Sequence, residues 1–210
     1  MNKEKRKQIF VHRKIRKSFL DNGEKINICK YCILDLLRRF KKNDTEAFEY
    51  KKKFISNWLG ITASTLSEHL KYLEKETKLI EQTDFGIELT DKFPIDLYLD
   101  SKNTKPLFVI IDVDIKTELC KEFGLITFEQ FAILTTIFTL QLKRDRKITK
   151  SYLANTLLLD RETVKNAFEK LQKLELLQHT HNPIKLTDDA NLFFEPLKSS
   201  IWNNRNKFGY

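Results

Sequence analysis

Asp112 and Asp114 follow an apolar run in the string FVIIDVD, and carboxylates at i and i+2 share one side of a strand. Such a pair could hold Mg²⁺ for phosphoryl chemistry. Cys29 and Cys32 form CKYC, a spacing compatible with a thiol switch. Lys143, Arg144, Arg146, Lys147 and Lys150 crowd the segment LKRDRKITK, with smaller basic clusters in RRFKK at 38–42 and KKK at 51–53. Clusters of this kind can grip backbone phosphates. Near the start, Lys3, Lys5, Arg6, Lys7, Arg13, Lys14, Arg16 and Lys17 face only Glu4.

These candidates differ in weight. The carboxylate pair has no evident third partner, and Asp114 reads as the N-cap of the helix DIKTELCKEF that follows. Five glycines in 210 residues form no phosphate-cradling loop, and no Ser/His/Asp spacing is recognisable. His12, His69, His179 and His181 do not complete a zinc site with the cysteines. The first reading of Cys29 and Cys32 is reduced thiols on a buried helix, the second a redox switch. The expectation is a protein without catalytic residues, metal or cofactor.

The net charge of +9 and pI near 9.3 point to a polyanionic partner, foremost double-stranded DNA. Residues 1–8 also read as a solvated tail. No apolar run approaches the roughly 18 residues of a membrane span, and the N-terminus lacks the apolar stretch of a signal peptide. The expected setting is cytoplasmic, with no membrane contact.

Positioning these groups falls to a repeated unit. IELTD at 87–91 and IKLTD at 184–188 each close the same order of elements. In the first copy, KKFISNWLG has helical spacing, and Gly60 suits a left-handed turn. Thr62 caps ASTLSEHLKYLEKE, whose Leu66, Leu70 and Leu73 share a face, and a hairpin turns at TDFG. In the second copy, offset by 98 through the helices, Ala154 replaces Ser56 and Asp160 replaces Thr62 as cap. Val164, Phe168 and Leu171 form the matching face, and a hairpin turns at HNP. A further helix precedes each copy, INICKYCILDLLRRF and TFEQFAILTTIFTLQL. Pro94 and DSKNTKP at 100–106 mark a linker, with LFVIIDVD as a strand beyond it.

Helix, helix–turn–helix and hairpin make a winged helix. Residues 124–197 resemble the MarR-type winged-helix domain through the opening LITFEQFAIL, the segment TVKNAFEKLQKLELL and LTDDANLFF after the hairpin. Residues 26–91 resemble the broader bacterial winged-helix class through WLGITASTLSEHLKYLEK. The implied fold is mainly α with small β-hairpins (α+β), as two winged helix-turn-helix domains in tandem.

The resemblance implies that the second helix of each helix–turn–helix enters the major groove. The first would then present Ser64, Thr65, Ser67, Glu68, Lys71 and Tyr72, and the second Arg161, Glu162, Thr163, Lys165, Asn166 and Lys170. Arg161 and Asn166 carry forked donors suited to guanine and adenine edges, so the second helix is the better base reader. Lys143, Arg144, Arg146, Lys147 and Lys150 would add phosphate contacts. Neither hairpin tip carries an Arg or Lys, and Asp84 would repel phosphate.

The expected division is a basic arm or helix at 1–24, winged helices at 25–93 and 124–190, a linker with a short strand and helix at 94–123, and a C-terminal helix or tail at 191–210. The foremost function is sequence-specific transcriptional regulation. The alternatives are a replication initiator of a plasmid, phage or other mobile element, and a winged-helix scaffold for proteins. The MarR resemblance also implies a homodimer through terminal helices, with FVHRKIRKSFL and the strip Phe193, Phe194, Leu197, Ile201 and Trp202 as candidates. The other reading of that strip is packing on its own domain.

Overall fold

The computed structural model describes residues 6–41, 52–84, 86–94, 108–142, 148–178 and 184–203. Among them the chain is mainly helical with two small antiparallel sheets, an α+β composition. Strand β1 (Gln8–His12) runs into α1 (Arg13–Asp21), then α2 (Ile28–Lys41), α3 (Lys52–Leu59) and α4 (Ala63–Lys75). The hairpin β2 (Ile80–Thr83) and β3 (Gly86–Leu89) follows. The order then restarts with β4 (Phe108–Asp112), α5 (Val113–Phe123), α6 (Phe128–Gln141), α7 (Lys150–Leu157) and α8 (Arg161–Lys173). Where a second hairpin was expected, a single bridge joins Leu177 to Leu186, and the HNP tip lies outside the described residues. Helices α9 (Asp188–Phe194) and α10 (Leu197–Asn203) complete the order.

The repeat is written into the backbone as well as the side chains. Left-handed φ angles recur in equivalent turns: +81° at Gly23 and +84° at Gly124, +60° at Gly60 and +50° at Leu158, +55° at Lys78 and +56° at Glu175. Left-handed conformations are uncommon for non-glycine residues, so this recurrence marks shared geometry. It also accounts for the LTD strings. The Thr90 hydroxyl donates to the Lys78 carbonyl (2.6 Å), and the Thr187 hydroxyl donates to the Glu175 carbonyl (2.8 Å). Each threonine amide donates to the next carbonyl, Leu79 (3.0 Å) or Leu176 (3.2 Å). The threonine therefore fastens the left-handed exit from the preceding helix.

The arm and the linker expected at 1–24 and 94–123 contribute to one another. Strand β1 pairs antiparallel with β4, in a register running from Gln8 opposite Asp112 to His12 opposite Phe108. A lone five-residue strand would leave its backbone groups unpaired, and pairing across the chain satisfies them. Ile9, Val11, Ile110 and Ile111 are buried, each apolar side chain contributing about 1.5–3 kcal/mol relative to exposure. Helix α2 packs on β1, α6 packs on β4, and the two helices pack on each other. The Ile28 amide opening α2 donates to the Glu129 carboxylate in the first turn of α6 (3.2 Å).

The two lead-in helices reach across to the opposite half. From α1, Arg13 donates to the Asn155 carbonyl (3.2 Å), and Arg16 donates to the carbonyls of Leu157 and Ile26. Cationic donors suit the C-terminal carbonyls of α7. Reciprocally, the Thr117 hydroxyl of α5 lies 3.0 Å from where a Cβ on Gly60 would sit, at the end of α3. Arg16 and its counterpart Lys116 are both buried, the Lys116 ammonium 4.7 Å above the Phe128 ring.

Two further expectations change. The cap of α5 is Asp112 rather than Asp114, its carboxylate accepting from the Ile115 amide (3.1 Å), because the helix starts two residues earlier than a cap at Asp114 would set it. The C-terminal strip is largely internal: Phe194, Leu197 and Ile201 are buried, and Phe194 meets the rings of Phe131 and Phe138 at 5.6 and 5.5 Å. Phe193 is half-buried near Phe123, leaving Trp202 exposed. That strip packs on its own chain.

Candidate nucleic-acid interface

Each repeat sets two helices about a tight turn. The Ile61 amide donates to the Ser56 carbonyl (3.0 Å), and the Leu159 amide to the Ala154 carbonyl (3.0 Å). Ser56 and Ala154 are buried, and their small side chains permit the close crossing. Thr62 caps α4 by accepting from the Thr65 amide (3.1 Å), and Asp160 caps α8 by accepting from the Thr163 amide (2.7 Å). The Thr163 hydroxyl also donates to Asp160 (2.7 Å), and this bond, with the amide bond, lowers the Asp160 pKa. Leu66, Leu70 and Leu73 seat α4, while Val164, Ala167, Phe168 and Leu171 seat α8.

The outward faces follow from this seating. Ser64, Ser67 and Lys71 are exposed on α4, and Arg161, Lys165 and Asn166 on α8. Thr65, Tyr72, Thr163 and Lys170 are half-buried. The two threonines serve the caps, since the Thr65 hydroxyl also bonds that of Thr62 (2.9 Å). Tyr72 is engaged at both ends: its hydroxyl accepts from the Lys25 amide (2.8 Å), and the Lys30 ammonium sits 3.4 Å above its ring. Charge separates the helices too. On α8, Arg161, Lys165, Lys170 and Lys173 outnumber Glu162 and Glu169; on α4, Lys71 and Lys75 are matched by Glu68 and Glu74.

The basic clusters divide. Lys143, Arg144, Arg146 and Lys147 lie outside the described residues, as do Lys42 and Lys51. Lys150 is exposed, with its ammonium 5.1 Å from the Phe168 ring. Arg38 and Arg39 turn inward instead, pairing with the buried Asp35 at 2.8 and 2.7 Å, and Arg39 also donates to the Gln8 carbonyl (2.7 Å). Low solvent access makes that carboxylate a stronger attractor than a distant phosphate. At the first hairpin tip Asp84 is exposed.

The carboxylate pair and the thiols also have structural occupations. Asp112 accepts from the Gln8 side chain (2.9 Å) and the Ile115 amide, and Asp114 accepts from the Lys7 amide (3.0 Å). Among the described residues no cluster of three or more His, Cys, Asp or Glu forms. Cys29 and Cys32 are buried; desolvation pushes the Cys29 thiol up to about 12 and Cys32 well above its ordinary value. Thiols held protonated are poor nucleophiles.

Sequence reasoning misses the inward role of Arg16 and the pairing of β1 with β4. A signal is present, because Ile9, Val11, Ile15, Phe19 and Ile26 stand 100 residues before Val109, Ile111, Ile115, Leu119 and Ile126. No single helix among the described residues is long and apolar enough to cross a membrane. No protein-family model, curated protein or solved structure matches the chain.

Proposed function

We propose that this chain is a DNA-binding protein of the cytoplasm, built from two winged helix-turn-helix units and acting as a sequence-specific transcriptional regulator. The observation that carries the reading is the outward face of α8, where Arg161 stands exposed at the first helical position, beside the capping Asp160, and Lys165 and Asn166 stand exposed one to two turns further on. Forked donors at that end of a helix suit base edges in the major groove, while Lys165, Lys170 and Lys150 suit phosphates. Helix α4 offers Ser64, Ser67 and Lys71, a sparser set. Asp112 and Asp114 are engaged at the β1–β4 junction, which supports a binding role for the chain.

A second reading, protein contact through the first unit, draws on two features: the balanced charge of α4 and the exposed Asp84 at the hairpin tip. Replication initiation shares the DNA-binding chemistry and differs in the arrangement of target sites.

Genomic fragments captured by the purified chain and washed at about 50 mM and about 200 mM salt test the reading. Discrete sites retained at the higher salt, and lost with Arg161→Ala plus Lys165→Ala, are expected. Undiminished capture by that variant would take Arg161 and Lys165 off the duplex, and failure of the unaltered chain to retain any discrete site would move it into the scaffold class. Inverted repeats near promoters favour the regulator; direct repeats at an origin favour the initiator.

A further inference from the structure

The pairing of β1 with β4 carries a symmetry. Equivalent residues of the two repeats differ by 100 in this region, and the register pairs Phe10 with Ile110, its own equivalent. Gln8 opposite Asp112 and His12 opposite Phe108 are then mirror steps on either side of that centre. Antiparallel strands related in this way are exchanged by a local two-fold axis through the Phe10–Ile110 pair. Contacts beyond the sheet obey the same exchange. Helix α1 docks at the end of α7 through Arg16, and α5 docks at the end of α3 beside Gly60. Helices α2 and α6, each seated on its own strand, meet at their first turns through Ile28 and Glu129.

A two-fold axis fixes how the two reading helices relate. It gives α4 and α8 opposite senses across the axis and the same component along it, as the subunits of a symmetric dimer do. Two-fold-related helix–turn–helix units read half-sites that run in opposite directions. Here both units lie in one chain, and their outward residues differ: Ser64, Ser67 and Lys71 against Arg161, Lys165 and Asn166. A palindrome would therefore be read by unlike surfaces.

We infer that one copy of this chain recognises a DNA site made of two inverted, dissimilar half-sites, α8 reading one and α4 the other. The inference rests on the proposed DNA-binding function and adds the form of its target. Strong selection falls on the α8 half, where guanine and adenine edges meet Arg161 and Asn166; the α4 half is read more loosely.

The test uses the full chain and duplexes selected from a random library, with stoichiometry by native mass spectrometry. The expected result is one chain per duplex, with affinity falling about tenfold or more when one half-site is reversed in place. Lys165→Ala with Asn166→Ala should abolish the preference at one half-site only, and Ser67→Ala with Lys71→Ala at the other only. Two chains per site, indifference to half-site orientation, or α4 substitutions without effect would each overturn the inference while leaving DNA binding intact. Failure to bind any duplex would instead remove the underlying function.

Discussion

The guanidinium of Arg16, on the first helix of the chain, donates to the backbone carbonyl of Leu157 at the end of α7. The two residues are 141 apart in sequence, and Arg16 is only 4% exposed. Burial lowers the Arg16 pKa, and the Glu129 carboxylate opposes that shift. This contact ties α1 of the first repeat to the end of α7 in the second.

Arg16→Ala should therefore cost about 2–4 kcal/mol, because it strands buried carbonyls as well as removing charge-assisted bonds. Arg16→Lys should recover only part of the loss, since an ammonium cannot reproduce the forked geometry. Urea unfolding measures both, and a lysine variant as stable as wild type would refute the forked role.

Gly60 meets two constraints at once: its φ is +60°, and a Cβ added there would lie 3.0 Å from the Thr117 hydroxyl. Gly60→Ala is expected to lower stability by about 1–2 kcal/mol. Combining it with Thr117→Ser, which retains the hydroxyl, should restore nothing. Thermal unfolding of the three variants decides the matter.

The buried thiols predict an alkaline weakness. Cys29 has an ordinary value of 9.0 and reaches about 12 in the folded chain. Above pH 9 the unfolded thiol ionises while the folded one stays neutral, so the unfolded state binds fewer protons and stability falls as pH rises. For Cys29 the loss should run from about pH 9 towards pH 12, at about 1.4 kcal/mol per pH unit, and Cys32, whose thiol burial also raises, acts in the same direction. Urea midpoints at pH 8.5 and 10.5 should separate less in Cys29→Ala plus Cys32→Ala; equal separation counts against the thiols.

Tyr72 carries the right chemistry for a reader, yet its hydroxyl and ring serve Lys25 and Lys30. Tyr72→Phe should leave DNA affinity within about twofold and cost about 0.5–1.5 kcal/mol of stability. Filter binding and denaturation provide the two readouts. A large affinity loss at unchanged stability would return Tyr72 to the interface.

The phosphate contact proposed for Lys165 and Lys170 would have its own signature. Replacing both with Ala should make the plot of log affinity against log salt shallower by about 2, as two counterion-releasing contacts disappear. An unchanged slope would place these lysines away from the duplex.

Much of the local architecture was legible in the amino-acid order. Leu66, Leu70 and Leu73, and Val164, Phe168 and Leu171, follow helical spacing, and the structure buries all of them. Thr62 and Asp160 act as the caps their side chains suit. Caps, apolar periodicity and turn residues act over a few positions, so neighbouring residues suffice to reveal them. The LTD strings announced the repeat for the same reason: each threonine closes a turn only 12 residues back.

Tertiary structure alone decided which basic residues face solvent. Arg16 and Arg39 resemble Arg161 and Lys165 in a string of letters, yet the first two are drawn to the distant carbonyls of Leu157 and Gln8. It also decided that β1 belongs with β4, across a separation of about 100 residues. An arginine's partner, like a strand's, is chosen by which groups folding deprives of water at the same place, and that depends on the packing of distant segments.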